Sequence, residues 1–232
     1  STGGDAKIIP RHMQYYACRR ILERVRTYDH RRGLIWHTQG SGKSYTMLYA
    51  AKNLLERDLI NSPQVFIIVD TDKLASQMSD NLSAIEFERY EVAGSINHLQ
   101  DLIEEGKSQL VLTTIQKFQD VDPDSAGNDD IVVMSDEAHR FMEADLGSRL
   151  EAAMPGCFHF GFTGTPVREG EDKSDRNTFD EFSPEGEEYL HRYSGKAGID
   201  DGLILPVYFR LRNQMAWTVD EAALDTQSEQ QF

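Results

Sequence analysis

The stretch LIWHTQGSGKSYTM (34–47) holds the residue types best suited to chemistry, a glycine-rich turn followed by a lysine and a serine. Gly40 and Gly42 permit positive φ and let backbone N–H groups approach an anion, and a helix starting here would add its positive N-terminus. Lys43 would reach the β- and γ-phosphates of a nucleotide, and the Ser44 hydroxyl would ligate Mg²⁺. The pattern predicts a phosphate-binding loop.

One position departs from the usual form of such a loop. The standard pattern has a glycine five residues before Gly42, where this chain has His37. The glycines nearest the phosphates and the Lys–Ser pair carry the chemical role, so we interpret His37 as a variant of loop shape rather than as a catalyst. An ordinary glycine turn with an incidental lysine is the alternative.

Two adjacent carboxylates follow the apolar run in VVMSDEAH (132–139). Burying neighbouring charges is costly unless a cation or a reacting group lies beside them. Asp136 therefore suits the outer sphere of a magnesium ion, and Glu137 suits the positioning and deprotonation of an attacking water. His139 lies just beyond them, where it could respond to the phosphate site.

Two weaker signals accompany these motifs. FTGTP (162–166) supplies the hydroxyls of Thr163 and Thr165 in a turn that contains glycine and proline, and an ordinary loop explains it equally well. Upstream, Gln14 is predicted to lie just before the first helix. Its amide could present a donor and an acceptor to an adenine edge.

The sequence predicts that an α/β fold positions these residues. Short, nearly continuous apolar runs predict strands buried on both faces of a parallel sheet, and helical patterns lie between them. The strands are expected at 33–38, 65–70, 109–114, 130–137 and 158–165, and the helices at 43–57, 72–86 and 96–105. This alternation predicts a doubly wound, mostly parallel sheet with helices on both faces.

Each predicted strand ends in small or polar residues. Ligands of such sheets bind at the carboxyl ends of the strands, so the chemistry is expected to collect at this edge. The residues at these ends are Thr38, Asp70, Thr113, Asp136 and Thr163.

Composition limits the classes of function. The chain has 232 residues, 39% of them hydrophobic, and its 39 acidic against 24 basic side chains give a net charge of −15. That charge has the wrong sign for holding DNA by bulk electrostatics, so any nucleic-acid contact must be local. Cys18 and Cys157 support neither a disulfide framework nor a zinc site, which suggests a reducing, cytoplasmic setting.

The ends and loops of the chain predict its domain organisation. No run approaches a membrane span or a signal-peptide core, and the absence of an initiating Met suggests an excised fragment. The stretches 120–130 and 168–188 are polar and acidic, and both predict solvated loops. We expect one compact domain over 1–190 and a bridge or tail over 191–232.

Taken together, the motifs resemble the first motor domain of superfamily-two helicases and translocases. More closely, the chain resembles the motor (R) subunit of type I restriction endonucleases, which implies a RecA-like P-loop NTPase domain. The blocks that carry the resemblance are HTQGSGKS (37–44), VDTDKLASQ (69–77), TTIQKF (113–118), SDEAHR (135–140) and FTGTP, together with the tail from YLHRYSGKAGIDDG onward. It covers almost the whole chain.

The resemblance implies a specific set of site residues. ATP and Mg²⁺ would be held by Gln14, Gln39, Gly40, Ser41, Gly42, Lys43, Ser44 and Tyr45, with Asp136 as a second magnesium ligand and Glu137 in catalysis beside Lys43 and Asp136. His139, Thr163 and Thr165 would couple hydrolysis to movement. The DNA backbone would be contacted by Thr71, Lys73, Thr113, Thr114, Gln116 and Lys117.

The implied activity is ATP-driven translocation of double-stranded DNA, in a prokaryotic complex with methylase and specificity subunits and without membrane contact. In the family, a nuclease domain would precede residue 1, and a second motor domain with an arginine finger would follow residue 232. Such a finger contributes about 10³- to 10⁵-fold in related phosphoryl-transfer sites, so the isolated chain should be a weak ATPase.

Three other classes of protein are weighed against this one. Another superfamily-two ATPase, such as a repair or remodelling helicase, is disfavoured by the tail after residue 188. A nucleotide-binding switch or a small-molecule phosphotransferase would not need DEAH followed by TGTP. A bare DNA-binding module fits the net charge of −15 least.

Overall fold

A computed structural model describes residues 9–57, 59–127, 130–138, 146–166 and 178–206. Within these ranges one sheet has seven strands in the spatial order 3-4-2-5-6-1-7, and every neighbouring pair is parallel. The strands are β1 (Arg32–His37), β2 (Gln64–Val69), β3 (Tyr90–Val92), β4 (Leu110–Thr114), β5 (Ile131–Ser135), β6 (Phe158–Thr163) and β7 (His191–Tyr193).

Seven α-helices lie within the same ranges, together with a 3₁₀ helix at Ile115–Asp120. They are α1 (His12–Thr27), α2 (Lys43–Glu56), α3 (Asp72–Ala84), α4 (Ile96–Glu105), α5 (Leu146–Ala153), α6 (Thr178–Phe182) and α7 (Gly195–Asp200). The three predicted helices and five predicted strands are confirmed. Their signal was strong because strands such as β2, β4 and β5 are buried along their whole length.

The helices form a layer on each face of the sheet. α1, α2 and α3 cover one face, where side chains such as Ile35 and Ile67 are fully buried. α4, α5 and α6 pack on the other face, over Leu34, Phe66 and Val133. The RecA-like α/β architecture predicted from the sequence is therefore confirmed. None of the described helices is long and apolar enough to cross a bilayer.

Two expectations about local structure are wrong. Gln14 lies in the first turn of α1 rather than before it, because its side-chain Oε1 accepts a hydrogen bond from the Arg11 N–H and so supports the helix start. The acidic stretch 168–188 is not a solvated loop throughout. Residues 168–177 lie outside the described part, but α6 buries Thr178 and Phe182, and the Phe182 ring packs edge-on against His159 at 4.7 Å.

The predicted tail begins inside the sheet. β7 pairs with β1 as an edge strand, and α7 follows it directly. Residues 191–206 thus belong to the folded body, while 207–232 lie outside the described residues, so their assignment as a bridge stays a prediction. β3 and β7 were missed because each has three residues, too few for a periodic pattern.

Candidate active site

The glycine-rich turn joins β1 to α2 at the carboxyl edge of the sheet. Gly40 and Gly42 have φ of +77° and +85°, which confirms that this turn needs glycine. The Ser41 hydroxyl is buried and donates to the Thr38 carbonyl at 2.6 Å. α2 begins at Lys43, so the N–H groups of its first turn have no intrahelical partner and can bind an anion.

Gln14 braces this loop from the neighbouring helix. Its Nε2 donates to the carbonyls of Ser41 and Gly42, at 3.2 Å in each case, and the side chain is 5% exposed. Any Cβ at Gly42 would overlap that Nε2. Both ends of the amide are thus engaged by the protein, and a contact with adenine would have to share its donor or its acceptor.

His37 ends β1 and is fully buried, and its Nε2 lies 2.8 Å from Nδ1 of His191 on β7. Desolvation, and then the nearby His191 and Lys43, lower the pKa of His37 to about 3. A histidine that stays neutral through the physiological range and touches another histidine is a structural element of the loop. This agrees with its interpretation as a variant of loop shape.

The two carboxylates follow β5 at the same edge. The Asp136 N–H donates to the Ile68 carbonyl at 2.9 Å, which continues the sheet contact one residue beyond the strand. Burial raises the pKa of Asp136, the Lys43 ammonium lowers it, and the carboxylates of Glu137 and Asp70 raise it. The Asp136 carboxyl therefore lies within electrostatic range of Lys43. The nearby positive charge does not fully offset the cost of burying the carboxylate.

Glu137 has an unusual backbone conformation. Its φ is +51°, in the left-handed region that a residue with a Cβ seldom adopts, and its N–H donates to Asp136 Oδ1 at 3.1 Å. Such strain costs about 1–3 kcal/mol and is found where function requires a particular side-chain direction. The turn thus places two adjacent carboxylates just after β5 at the carboxyl edge of the sheet.

The turn after β6 lies against the phosphate loop. A methyl group at Gly164 would lie 3.3 Å from Gln39 Cγ and 3.5 Å from Lys43 Nζ. Thr163 is fully buried, and its Oγ1 accepts a hydrogen bond from the Thr165 N–H at 3.1 Å. The structure thus brings Thr163 and Thr165 beside the phosphate loop, while His139 lies outside the described residues.

A cavity of about 270 Å³ opens beside Gln14, between α1 and α2. Its walls combine tyrosine rings with polar and cationic side chains, and they are formed by Pro10, Gln14, Tyr15, Cys18, Arg19, Leu22, Tyr49, Asn53 and Arg57. Tyr45 points elsewhere, since its hydroxyl donates to Asn81 on α3 at 3.2 Å. The cavity therefore presents aromatic rings and side-chain amides to a ligand.

The residues expected to contact DNA lie at the ends of β2 and β4, and several are already engaged. Lys117 Nζ contacts Asp72 Oδ1 at 2.7 Å and Thr114 Oγ1 at 3.1 Å. The Thr71 Oγ1 caps α3 by accepting from the Leu74 N–H at 3.4 Å. These contacts hold the side chains in place without a nucleic acid.

Exposure separates the remaining members of this group. Lys73 and Gln116 are exposed, and Gln116 donates to the Asp70 carbonyl at 3.1 Å. Thr113 is 0% and Thr114 4% exposed, so their side chains do not reach the surface. A DNA contact at these two positions would have to come from the backbone.

Sequence reasoning missed three residues beside the site. Trp36 donates from Nε1 to the Gly164 carbonyl at 3.0 Å, and the Arg192 guanidinium lies 4.3 Å from the Trp36 ring centroid. His191 contacts His37 as described above. The aromatic and basic cluster in YLHRY (189–193) was the available signal, but nothing in it indicates which strand it joins.

The oxygen donors at this edge fit magnesium. Ser44 offers a hydroxyl at the start of α2 and Asp136 a carboxylate, and Mg²⁺ in nucleotide sites takes one or two such protein oxygens, with phosphates and waters completing its shell. Among the described residues no cluster of three or more His, Cys, Asp or Glu side chains could hold a metal ion. The Ser44 hydroxyl and the Asp136 carboxylate fit a magnesium ion whose remaining ligands would be phosphate oxygens and waters.

Comparison with known proteins identifies the family. The profile of the SWI2/SNF2 ATPase family matches residues 13–232. A putative type I restriction enzyme MjaIXP endonuclease subunit of Methanocaldococcus jannaschii is 32% identical over 219 residues, which cover 89% of this chain and 20% of that protein. The type I restriction enzyme HindI endonuclease subunit of Haemophilus influenzae is 28% identical, covering 90% and 22%. The chain thus spans about a fifth of these relatives.

Solved structures share the fold. A nuclease-deletion mutant of the type ISP restriction-modification enzyme LlaGI, in complex with a DNA substrate mimic, aligns with a TM-score of 0.57 and 16% identity, covering 85% of this chain and 21% of that one. The Sulfolobus solfataricus SWI2/SNF2 ATPase core in complex with double-stranded DNA aligns with a TM-score of 0.56 and 16% identity, covering 78% and 37%. At these identities the likeness concerns the fold alone.

Proposed function

The chain belongs to the SWI2/SNF2 ATPase family, and on that premise we propose that it binds Mg-ATP on the loop from Gly40 to Ser44 and takes part in its hydrolysis. One observation carries the proposal. The phosphate loop, the carboxylate turn and the Gly164 turn converge on Lys43, whose charge acts on Asp136 and whose Nζ would lie 3.5 Å from a Cβ at Gly164.

Each group has a role that follows from its position. The N–H groups of the loop and of the first turn of α2 bind the phosphate oxygens, and Lys43 neutralises their charge. Ser44 and Asp136 hold the magnesium ion, which supplies charge neutralisation at the phosphates when bound. Glu137 lies beside Asp136 on the strained turn, from which it can orient a water and accept its proton.

The cavity beside Gln14 is the proposed site for the adenine ring. It opens where Gln14 braces the phosphate loop, so a nucleotide with its phosphates on α2 could place its base there. Tyr15 and Tyr49 offer aromatic surface, and Gln14 offers amide hydrogen bonding to a base edge. Gln39 and Ser41 shape the loop, while Tyr45 acts through its packing toward α3.

The use of the energy is proposed from the relatives. The similar curated proteins are endonuclease subunits of type I restriction enzymes, and two proteins with the same fold were solved with a DNA substrate mimic and with double-stranded DNA. We therefore propose translocation of double-stranded DNA within a cytoplasmic prokaryotic restriction complex that contains methylase and specificity subunits. The exposed Lys73 and Gln116 are the side chains best placed to contact the DNA backbone.

A titration with a non-hydrolysable ATP analogue tests the nucleotide site. Lys43→Ala removes a charge-assisted phosphate contact worth about 1.5–3 kcal/mol, so we expect the affinity to fall about 10- to 150-fold. Lys52→Ala is the matched control, because Lys52 lies on the same helix and is paired with Glu56 at 3.7 Å, away from the loop. Equal affinity in the Lys43 and Lys52 variants would exclude the assignment.

Phosphate release tests the proposed coupling to DNA. If a second motor domain completes the site, as the resemblance implies, residues 1–232 by themselves should hydrolyse ATP slowly, and duplex DNA should change the rate little. A longer protein that carries this chain with its partner domain should hydrolyse ATP in a DNA-dependent and Lys43-dependent way. Brisk, DNA-stimulated and Lys43-dependent turnover by the short chain would contradict the two-domain site.

A further inference from the structure

β7 contacts the end of β1 on both faces of the sheet. In the parallel pairing Trp36 lies opposite Arg192, and His37 lies opposite Tyr193. Because successive side chains of a strand point to opposite faces, these two pairs lie on opposite faces of the sheet. The face with His37 carries α2 and the phosphate loop, and the face with Trp36 carries the turn at Gly164. A strand of three residues thus reaches both loops of the nucleotide site.

On the first face, the contact is the buried pair of histidines. His37 Nδ1 has no partner among the described residues, and an unpaired buried acceptor costs less than an unpaired N–H. The proton of His37 is therefore assigned to Nε2, which donates to Nδ1 of His191 at 2.8 Å. Both rings are neutral, since burial lowers the pKa of His37 to about 3 and that of His191 to about 4.

A backbone contact accompanies this pair. The Thr38 N–H, the first of the phosphate loop, donates to the Tyr193 carbonyl at 3.0 Å. Tyr193 is itself anchored, because its hydroxyl donates to Asp201 Oδ2 at 2.6 Å, just after α7. The start of the phosphate loop is therefore held to β7 through one side chain and one backbone group, and β7 is held to α7.

On the second face, the contact is a cation over an aromatic ring. The Arg192 guanidinium lies 4.3 Å from the centroid of Trp36 and 5.7 Å from that of Tyr189. The same indole donates to the Gly164 carbonyl, so its position sets the position of the turn that approaches Lys43. Arg192 is exposed, and it contacts the indole that donates to this turn.

We propose that β7 is a positioning strand for the nucleotide site, in which His191 acts on the phosphate loop through His37 and Arg192 acts on the Gly164 turn through Trp36. The inference rests on the proposed nucleotide site. Because the two contacts lie on opposite faces of β1, a displacement of β7 relative to β1 moves both loops together. His191 and Arg192 are thus positioning residues that touch no phosphate themselves.

The first test compares two substitutions of His191 in the 232-residue chain. His191→Leu removes the acceptor for His37 Nε2, and we expect the affinity for a non-hydrolysable ATP analogue to fall about two- to tenfold. His191→Asn keeps an acceptor oxygen in the place of Nδ1 and should stay within about twofold of the unsubstituted chain. His98→Ala is the matched control, because His98 contacts Glu91 at the other end of the sheet.

A double substitution tests whether His191 acts through His37. His37→Ala together with His191→Leu should weaken binding no more than His37→Ala alone, since the contact is lost already. The inference would be overturned if the double variant bound the analogue more weakly than His37→Ala by the full effect of His191→Leu. It would also be overturned if His191→Leu alone left analogue binding unchanged. Absence of Lys43-dependent binding in the unsubstituted chain would instead overturn the proposed nucleotide site and this inference with it.

The second test uses Arg192 and the difference between ATP and ADP. Arg192→Ala releases the indole that holds the Gly164 turn, so we expect the analogue affinity to fall about two- to fivefold while ADP affinity is unchanged. Arg31→Ala is the matched control. The Arg31 guanidinium also lies over an aromatic ring, 5.1 Å from that of Phe158, but at the amino ends of the strands and away from the nucleotide site. Equal effects of both substitutions on both nucleotides would overturn the role of Arg192.

Discussion

The carboxyl edge of the sheet has two halves, each named after its proposed ligand, whose polar residues are held in different ways. The nucleotide half follows β1, β5 and β6 and includes 37–44, 136–137 and 163–166. Its backbone has positive φ at Gly40, Gly42 and Glu137, and the Asp136 carboxyl has a pKa raised by burial. The DNA half follows β2 and β4 and includes 71–73 and 113–117.

In the DNA half several polar groups already have partners. Lys117 pairs with Asp72, and Thr71 caps a helix. Strain and uncompensated charge in the nucleotide half cost stability, and the proposed ligand would offset this cost, whereas the contacts described in the DNA half need no ligand. Under the proposed function, the contrast implies that the nucleotide half is arranged in advance for its ligand, while the DNA half would exchange existing contacts for new ones.

The largest expected effect concerns Glu137. In a complete enzyme that contains this chain, Glu137→Gln keeps the shape of the side chain and removes the base, so single-turnover hydrolysis should fall about 10²- to 10⁴-fold. Phosphate release in a rapid-mixing experiment measures it, and binding of an ATP analogue should be nearly unchanged. Substantial single-turnover hydrolysis by the variant would show that the strained turn has no catalytic role.

Acid should destabilise the folded protein through two buried histidines, one in the nucleotide half and one near the start of β6. His37 and His159 are 0% and 2% exposed, and burial lowers the pKa of each to about 3, below the value near 6.5 of an unfolded chain. The unfolded state then binds more protons, so the stability is complete above pH 6.5 and is lost as the pH falls towards 3. From pH 7 to 5.5 the two should cost about 2.5 kcal/mol together.

Urea unfolding at both pH values measures this loss. His159→Gln keeps a polar atom near Ser135 Oγ, which lies 2.6 Å from His159 Nε2, and removes the titration. Between pH 7 and 5.5 this variant should lose less unfolding free energy than the unsubstituted chain. The difference should be about half of the loss expected from the two histidines together. An unchanged pH dependence in this variant would contradict the assignment of the acid sensitivity to buried histidines.

The two loop glycines separate backbone strain from the contact with Gln14. A Cβ at Gly40 would meet no atom within 4 Å. Gly40→Ala should therefore cost only the penalty of positive φ, about 1–2 kcal/mol of unfolding free energy. Gly42→Ala has the same conformational penalty and also displaces Gln14 Nε2, so we expect a further loss of about 1 kcal/mol. Thermal unfolding compares the variants, and Gln14→Ala should abolish the difference between the two glycines.

The smallest expected effect lies in the DNA half. If Lys117 leaves Asp72 to contact a phosphate, Lys117→Ala should reduce the slope of log affinity against log salt by about 0.9. Lys52→Ala, at another ion-paired lysine, should leave the slope unchanged. Binding of duplex DNA at several salt concentrations by a complete enzyme that contains this chain measures both, and an equal slope in the two variants would remove Lys117 from the DNA contacts.

Most of the nucleotide half could be predicted from local sequence. The run from Gly40 to Ser44 needs particular residues at particular positions because positive φ requires glycine and phosphate requires a cation, and the structure has both glycines in that conformation. Asp136 and Glu137 were recognisable because carboxylates after a buried strand are unfavourable without a role. The DNA half was less predictable, since the burial of Thr113 and Thr114 depends on neighbours distant in sequence.

The partners across the sheet were decided by the tertiary structure. Periodicity places β1 and α2 along the chain, but no local pattern indicates that His191 lies 2.8 Å from His37 or that Arg192 covers Trp36. These pairs are separated by more than 150 residues and form only when β7 joins the edge of the sheet beside β1. Local propensity acts over a few residues, whereas strand order is set by burial of the whole core, so sequence specified the loops and folding specified what holds them.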